Sequence, residues 1–313
     1  MEGFPEVKLI LASSIYPDAV EKLQQEHDVV CAFNAKDDVL KSLIQDREVL
    51  IFRSGVNISA EVMGSAPDLK LLIRAGNGMD NLDSKYVEEH GIRFVRIPEP
   101  GARAVAEMSF ALMLALARRI LEADRLTRQG KWAKSEMTGY LLTEKVLGIV
   151  GAGNIGSRVG QLGAAWGMIP IGCVEHPSPA AAARLAEKGI RLTDFAEVVS
   201  TADFVCIHVP LQASTRNLID AAALAQMKPG AFLVNLARGG VVDEEALYQA
   251  MTNGGSLRGA ALDVHKQEGD GKISPLAGLP NVILTPHIGA MTFDSQREIG
   301  RRVVEILSEN GMA

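Results

Sequence analysis

The stretch that decides the fold is residues 146–156, VLGIVGAGNIG. Its five mostly apolar residues, 146–150, predict a buried strand, and the glycine pattern G-x-G-x-x-G follows at once. The segment from Ser157 to Trp166 then has the composition of a helix. Spaced glycines alone are weak evidence, but a strand before them and a helix after them make the pattern specific.

The glycines have different predicted tasks in such a strand–turn–helix unit. Gly151 permits the tight turn, Gly153 lets the backbone approach a pyrophosphate, and Gly156 lets helix and strand pack closely. Asn154 and Ile155 open the helix, whose unpaired N–H groups and positive dipole end attract an anion. The stretch therefore predicts a site for a dinucleotide cofactor.

Outward from this turn, short apolar runs alternate with amphipathic stretches in both directions. Downstream, the predicted strands are residues 169–174, 204–209, 231–236, 259–264 and 282–285. Upstream, they are residues 7–11, 29–31, 49–52, 69–73 and 92–95. This alternation implies parallel strands joined by crossover helices. We therefore predict the α/β class, with two doubly wound parallel-sheet domains.

Between the two sets of strands, residues 103–128 predict one long helix. Its first half is apolar on nearly every side, so it must be covered all round. We interpret it as a linker helix buried between domains or subunits. Its most apolar part, 110–117, is stopped by Arg118 and Arg119 and is too short to span a bilayer.

The length of the chain suggests the number of domains, and its net charge disfavours some classes of partner. With 313 residues it has room for roughly two domains of about 150 residues. The net charge of -6 and the pI of about 5.6 disfavour nucleic acid and membrane partners, which need a basic face. Cys31, Cys173 and Cys206 lack the spacing of metal ligands, so we expect no metal, and buried reduced thiols in a cytoplasmic protein.

Polar side chains follow three predicted strands of the second set. Arg238, Asp263 and His287 each stand at or just past the carboxyl end of an apolar run. Glu268 lies in the loop after Asp263, within reach of His287. Ligands of open α/β sheets bind at that edge, so these side chains are candidates for one site.

Their chemistry suits the reduction of a 2-keto acid. A guanidinium grips a carboxylate with two parallel hydrogen bonds, which is the expected task of Arg238. An imidazole can give a proton to a carbonyl oxygen and take it back, which is the expected task of His287. A carboxylate such as Glu268 orients the ring and favours the imidazolium. Alone, each residue is more often a surface ion pair or a structural group.

The ordered series of segments resembles the D-isomer-specific 2-hydroxyacid dehydrogenase family, with a pattern closest to D-3-phosphoglycerate dehydrogenases. The matching stretches are GAGNIG (151–156), HVPLQASTRNLID (208–220), MKPGAFLVNLARGGVVDEEAL (227–247), GAALDV (259–264) and NVILTPHIG (281–289). Upstream, residues 52–83 and 104–118 resemble the family's substrate domain and linker helix.

The resemblance implies an architecture. A Rossmann domain that binds NAD, residues 101–286, would be inserted into a flavodoxin-like substrate domain, residues 1–100 and 287–313. The cleft between them would close by a hinge motion, and two chains would form a homodimer through their cofactor domains.

The resemblance also implies residue roles. Arg238 would bind the substrate carboxylate, with Glu268 and His287 as the acid/base pair. Substrate loops would contribute Arg53, Ser54, Asn77 and Gly78. The cofactor contacts, besides the glycine-rich turn, would be Glu175, His208, Pro210, Thr215, Ala237 and Asp263.

The chain departs from the family pattern at several positions. Val174 stands where an acidic residue usually ends the second cofactor strand, and Glu175 follows it. His265 replaces an aromatic residue, and Gly269 a proline. Asn77 and Gly101 also differ from the usual residues. The chain ends at Ala313 without the regulatory extension of longer relatives, so serine feedback is not expected.

The sequence is compatible with several functions. A small D-2-hydroxy or 2-keto acid resembling 3-phosphoglycerate is the leading substrate, and glyoxylate, hydroxypyruvate or a specialised acid are alternatives. A dinucleotide-sensing binding protein on the same fold is a further one. Because Glu175 would repel a 2′-phosphate, we expect NAD as the preferred cofactor.

Overall fold

The computed structural model describes residues 6–252 and 255–311. The chain forms two compact units. Residues up to Ala102, together with those from Ala290 onward, make the first unit, and Arg103–Gly289 make the second. That the first unit binds the substrate and the second binds the cofactor stays a prediction.

The first unit is built on a five-stranded parallel sheet. Its strands are β1 (Lys8–Leu11), β2 (Asp28–Cys31), β3 (Val49–Phe52), β4 (Leu71–Arg74) and β5 (Arg93–Arg96). Its helices include α1 (Pro17–Glu26), α2 (Asp37–Leu43), α3 (Ala60–Gly64) and α4 (Ser84–Glu89). The strand order β2-β1-β3-β4-β5 is the flavodoxin-like order of a doubly wound sheet.

Both faces of this sheet are covered, as expected for parallel strands that are apolar throughout. Alternate residues of β1 and β3 pack into two separate apolar clusters, with Leu9 and Ile51 in one and Ile10 and Leu50 in the other.

The second unit contains a seven-stranded parallel sheet. Its strands are β6 (Val146–Val150), β7 (Ile169–Cys173), β8 (Arg191–Leu192), β9 (Phe204–Ile207), β10 (Phe232–Asn235), β11 (Gly259–Leu262) and β12 (Val282–Leu284). The other α-helices within the described residues are α5 (Glu99–Ala117), α6 (Ile120–Arg128), α7 (Asn154–Ala165), α8 (Pro179–Ala186), α9 (Phe195–Thr201), α10 (Ala221–Gln226), α11 (Glu244–Thr252) and α12 (Phe293–Glu309).

The order of these strands is β12-β11-β10-β9-β6-β7-β8. This is the Rossmann order with one additional edge strand. All strands are parallel, and successive strands are added on one side of β6 up to β8 and on its other side from β9 onward. Ligands bind at such a switch point, outside the carboxyl ends of the strands. The predicted fold class is confirmed.

The single long helix predicted over 103–128 is wrong. The chain forms α5 and α6, separated at Arg118 and Arg119, and Arg119 adopts the left-handed conformation with φ +52°. Its guanidinium binds the Glu122 carboxylate and the carbonyl oxygen of Glu136. These contacts hold Arg119 in the break between the two helices.

Three smaller expectations also change. The two-residue strand β8 was not predicted, and Cys31 is exposed, whereas Cys173 and Cys206 are buried. Helix α5 begins at Glu99, before the predicted start at 103, and its 19 residues are long and apolar enough to cross a membrane by length and composition alone, unlike the predicted apolar part 110–117. However, 67% of its candidate span is buried inside the structure, as in the core helix of a globular protein.

Candidate functional site

The glycine-rich turn after β6 has the geometry that its sequence predicts. Gly151 has φ +92°, and a Cβ there would approach the His208 carbonyl oxygen to 2.8 Å. A Cβ on Gly156 would overlap the carbonyl oxygen of Gly151, whereas one on Gly153 would meet no atom within 4 Å. Two glycines therefore permit close packing, and the third leaves open space beside the helix.

The first turn of α7 is uncapped. Gly153 occupies the N-cap position, and none of the side chains that the structure describes caps the helix amides there. Asn154 and Ile155 lie in this first turn, where backbone N–H groups lack partners within the helix. Open space beside free amides and a positive dipole end fits a phosphate group.

A pocket of about 720 Å³ lies at the switch point beside this turn. The predicted cofactor residues that line it are Gly151, Gly153, Glu175, His208, Pro210 and Thr215. Asn154, Ile155 and Gly156, in the adjoining first turn of α7, do not line it. Neither do Ala237 and Asp263, which follow the carboxyl ends of β10 and β11 and are buried there. Gln212 also lines the pocket, and its amide Nε2 donates to Glu175 Oε1 over 3.0 Å. The sequence reasoning missed Gln212.

His208 lies where the pocket meets β9. Neither of its buried ring nitrogens has a hydrogen-bond partner among the described residues. This burial lowers the pKa of His208 to about 4, so the ring is neutral near pH 7. A neutral, unpaired ring suits packing against a cofactor, and it does not suit proton storage.

His287 and Glu268 form a hydrogen-bonded pair. His287 Nδ1 and Glu268 Oε2 lie 3.0 Å apart. Burial alone would raise the pKa of the Glu268 carboxyl, but the hydrogen bonds and charges of His287 and His265 outweigh it, so the pKa is lowered. An ionised carboxylate only accepts, so Nδ1–H of His287 donates to it. Nε2 is then left to hold or release a proton.

A ring of hydrogen bonds supports this pair. Glu268 Oε1 accepts from the backbone N–H of His265, whose ring Nε2 lies 2.9 Å from the Thr285 carbonyl oxygen. The Thr285 hydroxyl donates to Asp263 Oδ1 over 2.6 Å. The Asp263 carbonyl oxygen then accepts from the backbone N–H of His287, which closes the ring.

Asp263 therefore has a clear structural task. Its buried carboxylate also accepts from the backbone N–H groups of Ile288 and Gly289, over 2.9 and 2.8 Å. These bonds fix the backbone of His287, which has φ +56° in the left-handed region. Asp263 holds the loop of His287, and its predicted contact with a cofactor stays a prediction.

The loop of Arg238 lies against the loop of Glu268. A Cβ on Gly239 would overlap the carbonyl oxygen of His265, so only glycine permits this approach. The buried Asn235 fixes the loop, since its amide accepts from Ala237 N and donates to Arg238 O. The structure thus brings together the segments of all three predicted catalytic residues.

Glu244, in the first turn of α11, was also missed by the sequence reasoning. Its buried carboxylate accepts from the backbone N–H of Lys266 over 2.6 Å and from the Ser274 hydroxyl over 2.8 Å. It therefore fastens both ends of the loop that carries Glu268. Its partners are distant in sequence, so no local pattern identifies it.

The predicted substrate loops follow β3 and β4 in the first unit. Arg53 Nη1 donates to Gln296 Oε1 over 2.5 Å, and burial lowers the pKa of Arg53. Ser54 is exposed, and Asn77 is half-buried. The carbonyl oxygen of Gly78 accepts a hydrogen bond from Nε of the buried Arg74 over 2.7 Å. Their contribution to substrate binding stays a prediction.

The fold and this site define an α/β protein with a dinucleotide-binding unit. Residues 110–289 match the model of the D-isomer specific 2-hydroxyacid dehydrogenase, NAD binding domain. The chain belongs to the D-isomer-specific 2-hydroxyacid dehydrogenase family. Within the described residues, no cluster of histidine, cysteine and carboxylate side chains could hold a metal ion.

Several relatives cover nearly the whole chain. D-3-phosphoglycerate dehydrogenase of Methanocaldococcus jannaschii is 39% identical over 96% of this chain and 56% of that protein. Hydroxypyruvate reductase of Thermotoga maritima is 38% identical over 92% of this chain and 93% of that protein. The chain thus spans about half the length of the former and nearly all of the latter.

A solved structure shows the same likeness. D-lactate dehydrogenase from Aquifex aeolicus, complexed with NAD and lactic acid, is 27% identical to this chain. The two match with a TM-score of 0.83, over 97% of this chain and 96% of that one.

Proposed function

We propose that this protein is an NAD-dependent D-2-hydroxyacid dehydrogenase. It transfers a hydride between NAD(H) and a small 2-hydroxy or 2-keto acid. The observation that carries the proposal is the His287–Glu268 pair, held by a closed ring of hydrogen bonds at the carboxyl edge of the sheet that bears the glycine-rich turn.

In the proposed reaction, Arg238, His287 and Glu268 each act on one part of the substrate or of the proton donor. Arg238 binds the substrate carboxylate through its guanidinium. His287 Nε2 gives its proton to the carbonyl oxygen, the carbonyl carbon gains a hydride, and a hydroxyl group results. Glu268 stays ionised and stabilises the imidazolium before transfer. In the reverse direction Nε2 takes the hydroxyl proton back.

The cofactor supplies the hydride when it is bound. The open space at Gly153, the uncapped start of α7 and the unpaired ring of His208 fit a dinucleotide. Pro210 and Thr215 line the same pocket, and we place Ala237 and Asp263 nearer the nicotinamide end. NAD is the proposed form because Glu175 stands where a 2′-phosphate would need a cation.

We propose a 3-phosphoglycerate-like acid as the leading substrate. The support is the name of the Methanocaldococcus jannaschii relative and the position of Arg53 and Ser54 after β3, with Asn77 and Gly78 after β4. Hydroxypyruvate is the second candidate, since the Thermotoga maritima relative carries that name. Glyoxylate or a specialised 2-keto acid are further alternatives.

A panel of 2-keto acids with NADH tests the proposal. Phosphohydroxypyruvate, hydroxypyruvate, glyoxylate and pyruvate are compared by kcat/KM, with oxidation of 3-phosphoglycerate as the reverse assay. We expect turnover of at least one acid and formation of the D-product. Tight NADH binding without turnover of any acid would favour the dinucleotide-sensing alternative instead.

We also propose a homodimer that works in the cytoplasm. The dimer is supported by exposed apolar side chains in the second unit, among them Trp132 at 84% and Leu141 at 71% exposure. The absence of a disulfide among Cys31, Cys173 and Cys206 suits a reducing compartment. Analytical ultracentrifugation gives the mass in solution, and a monomer at micromolar concentration would contradict the first point.

A further inference from the structure

The end of β7 lacks the usual means of holding a cofactor ribose. Val174 offers no acceptor for a ribose hydroxyl. Glu175 offers a carboxylate, but it is exposed and lies beyond the strand, where no ladder fixes its position. A free glutamate side chain samples many rotamers, and ordering it on binding costs conformational entropy. The carboxylate is useful only if something orients it.

Gln212, although exposed, provides that support from a hydrogen-bonded turn. Its backbone N–H donates to Thr215 Oγ1 over 2.9 Å, and its carbonyl oxygen accepts from the N–H groups of Thr215 and Arg216. The Thr215 hydroxyl donates in turn to the Pro210 carbonyl oxygen over 2.6 Å. The base of the Gln212 side chain is therefore fixed.

From this base the amide reaches the carboxylate. Gln212 Nε2 lies 3.0 Å from Glu175 Oε1 and 3.0 Å from the Ser214 hydroxyl oxygen. All three residues line the pocket at the switch point. One carboxylate oxygen is thus held by the amide, and Oε2 remains available to accept from a hydroxyl group.

The charged residues that line the pocket also favour NAD over NADP. Among the described residues that line it, Glu175 and Asp194 carry carboxylates, and there is no lysine or arginine. One Asp194 oxygen accepts from the backbone N–H of Glu197 at the start of α9. A 2′-phosphate would meet two negative groups here and no cation to balance it.

We propose that Gln212 is a specificity-determining residue, which selects NAD over NADP by holding Glu175 toward the ribose hydroxyls. The inference rests on the proposed cofactor site and deepens it. The selecting device is the pair, because Glu175 alone would be too mobile. The structure assigns this role to a residue that lies 37 positions away along the chain from the carboxylate it orients.

Binding of the two reduced cofactors tests the role without any substrate. The dissociation constants of NADH and NADPH are measured by isothermal titration calorimetry on the full chain. Gln212→Met keeps the length of the side chain and removes both donors. We expect it to weaken NADH binding roughly 3- to 10-fold, the size of one hydrogen bond, and to leave NADPH binding unchanged or improved.

Three further variants give the test its controls. Glu175→Ala should narrow the gap between NADH and NADPH at least as much as Gln212→Met. The double variant should match Glu175→Ala alone, because the amide acts only through the carboxylate. Gln226→Met makes the same change at an exposed glutamine of α10 that does not line the pocket, and its selectivity should stay within about twofold of the wild type.

Several outcomes would overturn the inference. Equal weakening of NADH and NADPH in Gln212→Met would show a merely structural role for the glutamine. Additive losses in the double variant would show that the two residues act separately. A wild-type chain that prefers NADPH would also contradict it. Failure to bind either cofactor would refute the proposed cofactor site as well, which separates the two proposals.

Discussion

Two turns at the same edge of the second sheet are built in opposite ways. The turn after β6 is made from glycines, and its binding groups are backbone amides beside open space. The segment after β12 is made from side chains, since Asp263, Thr285, His265 and Glu268 fix His287 through a ring of hydrogen bonds. An anion can be held by backbone alone, whereas proton transfer needs one ring placed and oriented by several others.

The largest expected effect tests the side-chain region. His287→Ala should lower turnover about 10²- to 10⁴-fold, the usual share of general acid–base catalysis. NADH affinity should stay within about twofold, because the glycine turn does not depend on His287. Steady-state kinetics and calorimetry measure the two quantities.

A matched control uses His90 of the first unit, which stacks on Tyr86 and is exposed. His90→Ala should keep wild-type kinetics. Wild-type turnover in His287→Ala would remove His287 from the reaction.

The next largest effect tests the planar guanidinium of Arg238 as the group that binds the substrate carboxylate. Arg238→Lys should lower kcat/KM for the best keto acid by about 10- to 100-fold, since an ammonium cannot make two parallel hydrogen bonds to a carboxylate. Arg184→Lys on the exposed face of α8 is the control and should have no effect. If Arg238→Lys stays within about twofold of the wild type, bidentate binding is not the role of Arg238.

The third effect tests the backbone region. Gly153→Ala places a Cβ in open space, so stability should hold while NADH affinity falls about 10-fold, because that space serves the pyrophosphate. Gly156→Ala should instead destabilise the fold by about 1–3 kcal/mol, since its Cβ would overlap Gly151. Gly278→Ala, also in open space, is the control. Unchanged NADH affinity in Gly153→Ala would refute the phosphate cradle.

The smallest expected effect tests one hydrogen bond of the cycle that supports His287 and Glu268. His265→Phe removes the donor to the Thr285 carbonyl oxygen, and turnover should fall roughly 3- to 5-fold with KM for NADH unchanged. His265→Gln can restore the donor and should recover most of the loss. If both variants behave alike, the hydrogen bond does not position the pair.

The sequence predicted these two regions unequally well. The geometry of the glycine turn followed from the sequence, because a G-x-G-x-x-G pattern between a strand and a helix specifies a tight turn with close packing, and its phosphate contact stays a prediction. The nearness of Glu268 and His287 was predicted too, since both follow strands whose carboxyl ends meet at one edge. Glu244 and Gln212 were missed because their partners lie 22 and 37 residues away. Such contacts depend on how loops pack, which no periodic pattern records.

The break between α5 and α6 was missed for a related reason. Composition favours a continuous helix through Arg118 and Arg119, and intrinsic propensity gives no sign of a stop there. The break is held by the contacts of Arg119 with Glu122 and the Glu136 carbonyl oxygen. One of these partners lies well outside any local window, so tertiary contacts override propensity.

The left-handed backbone of His287 lowers the stability of the fold at the residue proposed for proton transfer. A side chain with a Cβ costs about 1–2 kcal/mol in that conformation, and glycine avoids this cost. Selection for thermal stability alone would therefore favour glycine at position 287 and remove the imidazole that is proposed as the acid/base. A programme that makes this protein more heat-resistant should therefore screen for turnover at every round, because one gain in stability lies at the residue proposed to transfer the proton.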